Sequence, residues 1–387
     1  MDGLIQDRHK RRLLFVVNVG WFFLSHRLPV ALAAQARGYQ VHLATALDPE
    51  LDRETEKILA DHGIVLHKLQ LSRSGSHPLE LFRALAKLTW LLKRLQPTVV
   101  HLVTLKPLLI GGLAARLARV PSVVFAVPGR GSVFSARGAL ATLRRWGVLM
   151  LYRLAYNDQC NRVIVQNVED QDYFASRGVF PRANIRLIRG SGVDLQRFVP
   201  QPEPSGEMVV VLASRMLKEK GVAHFVAAAR MLRARAISAR FVLVGDPDHG
   251  NPHSHTAGEL RSWQDSGAIE WWGFRADMSA VFAACHVVCL PTYYGEGIPK
   301  VLIEAAACGR AIITTNTPGC SDIVQDGCNG LLVPPRDARA LADAIDALIH
   351  NPERRLAMGA CSRRWVEQFG LHVVTSQTLD VYEELAI

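Results

Sequence analysis

The chain reads as an α/β protein built from two Rossmann-like, doubly wound domains with a central cleft. Three observations predict this. Short β-branched runs alternate with amphipathic stretches from one end to the other, the pattern of helices packed on both faces of a parallel sheet. The alternation stops once, near Gly190, and Val199-Pro-Gln-Pro-Glu-Pro-Ser-Gly206 is too rich in Pro and Gly for either element. Finally, 387 residues, 49% hydrophobic and 21% charged, are too many for one domain of about 150 residues and apolar enough for a real core. Such a composition excludes disorder, collagen-like repeats and a small disulfide scaffold.

In the first half, β-branched content and alternation place strands at Leu13–Val17, Gln40–Thr45, Val65–Leu69, Val99–Val103, Val123–Val127 and Arg162–Gln166. Between them, periodic apolar residues place helices at Leu28–Arg37, Glu50–Asp61, Pro78–Leu95 and Lys106–Ala118, with a weaker one at Ala139–Tyr156 where Arg144, Arg145 and Arg153 interrupt the apolar residues. After the linker the series resumes, with strands at Met208–Ala213, Arg240–Val244, Ala268–Trp272, His286–Leu290, Ala311–Thr315 and Gly330–Val333. Helices fall near Val222–Arg235, Gly258–Gln264, Asp277–Ala284 and Pro299–Cys308. Three terminal helices, Asp337–His350, Pro352–Phe369 and Thr375–Ala386, lack intervening strands and must cover or bridge the sheets. The expected layout is a domain over 1–195, a linker over 196–206, a second domain over 207–370 and a helix over 371–387 packing back toward the first domain.

Charge is lopsided. Residues 1–190 hold 27 basic and 13 acidic side chains, and the remainder is net acidic. Between Glu80 and Asp158 there are twelve Lys or Arg and no acid. A solvated face, anionic lipid, a phosphorylated acceptor and nucleic acid can each answer to that, but no aromatic RNP-like box or basic zipper supports nucleic acid. No run approaches the 18 or so apolar residues of a membrane span, and the longest, Leu13–Leu24, is broken by Asn18 and Gly20. A signal peptide would need Arg8–Arg12 as its charged region and Ala31-Leu-Ala33 as its cleavage site; Ser25-His-Arg27 interrupts it. The odd number of cysteines, Cys160, Cys285, Cys289, Cys308, Cys320, Cys328 and Cys361, fits reduced buried thiols in a cytosolic chain.

The densest chemistry lies in Tyr294-Gly-Glu-Gly-Ile-Pro-Lys-Val-Leu-Ile-Glu-Ala-Ala-Ala-Cys-Gly309, which follows a buried strand and opens a helix with Pro299 in its first turn. Backbone N–H groups of Gly297, Ile298 and the helix start that Pro299 opens can hold a phosphate. Glu296 in the loop and Glu304 on the helix can each accept from vicinal hydroxyls, though Glu304 can equally be a solvent-facing residue and Glu296 a charge matched to the helix dipole. Ser214-Arg215-Met-Leu-Lys-Glu-Lys220-Gly221 brings Arg215 and Lys220 to the carboxyl end of the second domain's first strand, where open α/β sheets bind ligands and where two cations can neutralise a departing diphosphate.

These residues resemble the retaining GT-B glycosyltransferases of family 4, marked by an Arg-x4-Lys pair, here Arg215 to Lys220, and a Glu-x7-Glu motif, here Glu296 to Glu304. The likeness extends to Gly192-Val-Asp-Leu-Gln-Arg-Phe198, to Val244-Gly-Asp246 and to Gly327-Cys-Asn-Gly-Leu-Leu-Val-Pro334. It implies that Arg215 and Lys220 contact the donor diphosphate, Glu304 the nucleotide ribose and Glu296 the donor sugar, with Phe274 near the base. It also implies no resident cofactor and no metal in the donor site. Gly20 stands where relatives often carry a Gly-Gly pair that lets the donor phosphate approach. Where many relatives have a His after the fifth strand, this chain reads Ala126-Val-Pro-Gly-Arg-Gly131.

Phe23-Leu-Ser-His-Arg-Leu28 and His101-Leu-Val-Thr-Leu-Lys-Pro107 are similar to stretches of bacterial O-antigen and capsule sugar transferases that build lipid-linked repeat units. His26, Arg27, His101, Lys106 and Arg130 fall at or just past expected strand ends and are the acceptor-side candidates. The three His of Asp246-Pro-Asp-His-Gly-Asn-Pro-His-Ser-His255 lie in a loop-like composition that fixes no ligand geometry. The expectation is an enzyme moving an N-acetylhexosamine-type sugar from a UDP donor to a lipid-linked or saccharide acceptor, with no nucleic-acid partner. It would be cytoplasmic and peripheral on the inner face of an anionic membrane. A nucleotide-sugar 2-epimerase, a soluble-acceptor transferase and an idle scaffold are the alternatives.

Overall fold

A computed structural model describes residues 11–46, 53–69, 78–131, 134 and 138–385. Residues 50–52 of the expected Glu50–Asp61 helix, the basic residues before Arg11, and Ala386 lie outside it. The chain divides into two units, one of residues 1–191 with 372–387, the other of residues 192–371.

The first unit contains β1 (Arg12–Val19), β2 (Gln40–Ala46), β3 (Val65–Lys68), β4 (Val99–Val103), β5 (Val123–Val127), β6 (Asn161–Val165) and β7 (Ile185–Leu187). They form one parallel sheet in the order β3-β2-β1-β4-β5-β6-β7. β4 and β5 are buried at every residue because helices cover both faces, which is why they read as unbroken apolar runs. Along β1 the faces alternate. Leu14 and Val16 enter the core under the helices Pro78–Leu95, Leu105–Ala118 and Ala139–Ala155, whereas Leu13, Phe15 and Val17 enter the opposite core. That opposite core includes Val374, Leu379, Val381 and Tyr382 of the last helix, Leu371–Leu385.

The second unit repeats the plan with β8 (Val209–Ala213), β9 (Arg240–Val244), β10 (Glu270–Trp271), β11 (Val287–Leu290), β12 (Ala311–Thr315) and β13 (Gly330–Val333), ordered β10-β9-β8-β11-β12-β13 and all parallel. This is the doubly wound order, with its reversal between β8 and β11.

Several elements differ from expectation. A short helix, Gly20–His26, follows β1 directly, and the helix Val168–Ser176, capped by Asn167 accepting from the Asp170 N–H at 2.7 Å, was not foreseen; nor were β7 and the turn of helix Cys320–Ile323. The stretch expected as a linker is tied to the second unit. Phe198 is in its core, Glu203 pairs with Arg355 at 2.8 Å and the Pro202 carbonyl accepts from Arg310. The expectation of seven reduced thiols is corrected at Cys328 and Cys361, which form a disulfide, their Cα atoms 6.3 Å apart. Cys285, Cys289, Cys308 and Cys320 are buried free thiols and Cys160 is half-buried.

Candidate functional site

The reversal point of the second sheet positions the site. The loop after β8, Ser214–Gly221, and the loop after β11, Pro291–Pro299, leave the carboxyl edge from neighbouring strands. Gly221 holds the first loop close to the second. Its φ is +77°, and a Cβ there would overlap the Pro291 carbonyl oxygen. Across this contact Lys220 Nζ donates to Glu296 Oε2, while Thr292 Oγ1 donates to Glu296 Oε1 at 2.7 Å. Both charged side chains are nearly buried, and the ammonium lies 6.0 Å from the centroid of the Tyr294 ring. Burial raises the Tyr294 phenol above its ordinary pKa, with the Glu296 charge adding to the shift. Thr292, the hydroxyl that fixes Glu296, was missed in the sequence; its only signal is a polar residue two positions after a buried strand.

Arg215 and Glu304 belong to the same edge but have other partners. Arg215 Nη1 bonds Asp248 Oδ2 at 2.7 Å, and Asp248 is held in turn by the Asn251 amide and by its own N–H donating to Ser254 Oγ. Asp248 is a second residue that sequence reasoning missed. Glu304 is buried on the helix Lys300–Ala307. Desolvation raises its pKa, and Lys300, whose Nζ is 3.4 Å from Oε1, pulls it back. The expectation that Pro299 occupies the first helical turn is corrected: Pro299 is the residue before the helix, its carbonyl accepting from the Leu302 and Ile303 N–H groups. Ile298 is buried beside it, and Gly297 is pressed by Gly319, which has φ +82° and where a Cβ would overlap the Gly297 carbonyl oxygen.

Phe274 is exposed after β10, with its N–H bonded to Asp246 Oδ1 at 3.1 Å. In the loop from Asp246 to His255, His253 pairs with Glu219, and buried His255 packs on Trp263 at 5.1 Å.

In the first unit Gly20 opens the helix after β1, and His26 closes it with its ring stacked on Phe22 at 4.2 Å. Arg27 is buried, gives an Nη1 hydrogen bond to the His26 carbonyl, and is lowered to about 10 by desolvation. The placement of His101 at a strand end is corrected. It lies inside β4, buried, with Nδ1 2.6 Å from the Tyr382 hydroxyl, and burial followed by the charge of Arg27 keeps it neutral. Lys106 is half-buried at the start of its helix, its pKa lowered by burial and raised partway back by Glu80. Arg130 is committed to structure. It bonds Asp170 Oδ1 at 2.7 Å, pairs with Glu169 and rests 4.9 Å over the Tyr173 ring, clamping the loop after β5 to the unforeseen Val168–Ser176 helix.

Two parallel sheets of Rossmann order in one chain are the architecture of the GT-B glycosyltransferases. Family models match both units: glycosyl transferase 4-like over residues 12–167 and glycosyl transferases group 1 over residues 207–351. The chain belongs to these family 4-like, group 1 glycosyltransferases. It is 27% identical, over 97% of its length and 99% of the relative's, to the N,N'-diacetylbacillosaminyl-diphospho-undecaprenol alpha-1,3-N-acetylgalactosaminyltransferase of Campylobacter jejuni. It is 23% identical, over 79% of its length and 80% of the relative's, to the Escherichia coli UDP-Gal:alpha-D-GlcNAc-diphosphoundecaprenol alpha-1,3-galactosyltransferase. Among solved structures it is similar to Anabaena HepE in complex with UDP and glucose, with a TM-score of 0.79 and 19% identity over 97% of this chain and 100% of that one.

Proposed function

We propose that this glycosyltransferase moves an N-acetylhexosamine-type sugar from a UDP-linked donor, with retention, onto a saccharide carried by undecaprenyl diphosphate, in cell-surface polysaccharide assembly. We place it in the cytoplasm at the inner membrane face. The observation that carries the reading is the Lys220–Glu296 pair at the reversal point, fixed by Thr292. The two relatives named for undecaprenyl-diphosphate-linked substrates support the acceptor class, and the UDP complex of the structural neighbour supports the donor class.

In this reading the developing charge on the departing diphosphate is what the site must stabilise, and Arg215 and Lys220 supply the positive charge. Binding the donor exchanges partners. The guanidinium of Arg215 leaves Asp248 for phosphate oxygens, and the ammonium of Lys220 is shared with them. Glu296, released in part, accepts from the sugar hydroxyls, and buried Glu304 accepts from the ribose diol. The acceptor oxygen attacks on the face from which the phosphate departs, and that phosphate takes its proton, so no protein nucleophile is required.

A thermal-shift panel of UDP, GDP and ADP, each with and without a divalent ion, tests this. UDP alone should stabilise the protein, with no gain from the ion, and Arg215→Ala should lose the shift. Glu296→Ala should abolish sugar transfer and keep the UDP shift. Turnover unchanged in that variant removes the role of Glu296, and consumption of donor without acceptor points to an epimerase.

A further inference from the structure

We infer that the helical layer over one face of the first sheet is a docking surface for an anionic lipid bilayer. The inference stands on surface chemistry and does not depend on which sugar or acceptor the enzyme uses. The helix Leu105–Ala118 packs between Pro78–Leu95 and Ala139–Ala155, and the buried sides of all three share one core. Their outer sides carry ten of the seventeen large exposed hydrophobic side chains among the described residues. Monomeric proteins rarely gather so much apolar surface in one layer without a partner.

The apolar residues are ordered along each helix. On Ala139–Ala155, Leu140 (75% exposed), Leu143 (63%), Trp146 (60%), Met150, Leu151 and Leu154 fall within about 140° of the circumference at 100° per residue. Tyr152 and Ala155 occupy the other side and are buried. On Pro78–Leu95, Leu79, Phe82 (68%) and Trp90 (58%) form a second stripe, bordered by exposed Arg83, Lys87 and Arg94, the last with its guanidinium 5.3 Å from the Trp90 ring centroid.

Charge selects the occupant. The three helices together carry nine basic side chains and one acidic one, Glu80. A protein partner or a second copy of this chain would meet apolar stripes bordered by basic side chains, with Glu80 the one acid among them. A bilayer of anionic headgroups over acyl chains matches both properties at once: aromatic and Leu side chains enter the headgroup boundary while Arg and Lys stay with the lipid phosphates. No helix among the described residues is long and apolar enough to cross a membrane, so the contact is with the surface.

The test is flotation of the full chain with phosphatidylcholine vesicles, with and without phosphatidylglycerol, at low and high salt. Binding should be at least about tenfold tighter to the anionic vesicles and should weaken with salt. Leu143→Glu/Trp146→Glu, at exposed positions, should lose about tenfold or more in vesicle binding with unfolding and the UDP thermal shift unchanged. Arg83→Glu/Lys87→Glu should lose the preference for anionic vesicles. Equal binding to both vesicles, no binding to either, or binding unchanged in the variants overturns the proposal. So does sedimentation showing a dimer that the Leu143/Trp146 variant dissociates. Because the UDP shift is read in the same samples, failure of docking and failure of the donor reading are separate results.

Discussion

Asp170 shows how one side chain can be legible in type and illegible in role. Burial raises its carboxyl to about 6 from 3.8, against the opposing pull of Arg130 and the Asn167 amide. The folded state therefore holds this proton more tightly than the unfolded chain does, so the group's contribution to stability is fully present below about pH 4 and is lost as pH rises to about 6. The loss is roughly 3 kcal/mol across that window. Urea unfolding of Asp170→Asn and wild type at pH 4 and pH 7 should show a flatter pH dependence in the variant; parallel curves would remove this assignment. Its partner Arg130 was expected on the acceptor side because it follows a strand. Its carboxylates sit on a helix whose Asn167-x-x-Asp170 capping signal is present in the sequence but stands before a segment with little apolar periodicity. His101 was misplaced for a related reason. Its hydrogen-bonding partner, Tyr382, is 281 residues away, and local spacing carries no trace of it.

The long elements were legible because their physics is local. β8 and β12, covered on both faces, are buried throughout and read as apolar runs. Short ones were not: β7 has three residues and the helix Cys320–Ile323 four, too few for a period to show. The motif of the candidate site was visible as residues, but its internal bonds were not. Spacing put Lys220 at a strand end and Glu296 in a loop without showing that they meet, or that the close approach of the loops rests on glycine. At Gly319 a left-handed backbone coincides with the Gly297 carbonyl, whereas Gly327, at φ +77°, faces open space. Gly327→Ala should cost about 1 kcal/mol of stability from backbone strain alone. Gly319→Ala should cost more, because the loop carrying Glu296 must shift, and should lose most of the UDP thermal shift as well. Equal costs with UDP binding intact would show that this contact does not hold the site.

Across the whole chain, the last helix serves the first unit. Glu384 bonds Arg162 and Arg186, Glu383 bonds Arg37, and the Ser122 hydroxyl donates to the Leu385 carbonyl. Deleting residues 372–387 should make the first unit protease-sensitive and leave residues 192–371 protected, a difference that hydrogen exchange resolves segment by segment; uniform protection would contradict it. The expectation of a terminal helix returning to the first domain needed only the absence of a strand between the final helices, but the contacts it makes were out of reach of any window. On the ribosome the same arrangement reverses the order of completion. The core on one face of the first sheet, where Phe15, Val41 and Val103 meet Phe23, Val30 and Leu59, lacks its last helix until the whole of residues 192–371 has been made, so the part of the protein synthesised first is the part that finishes folding last.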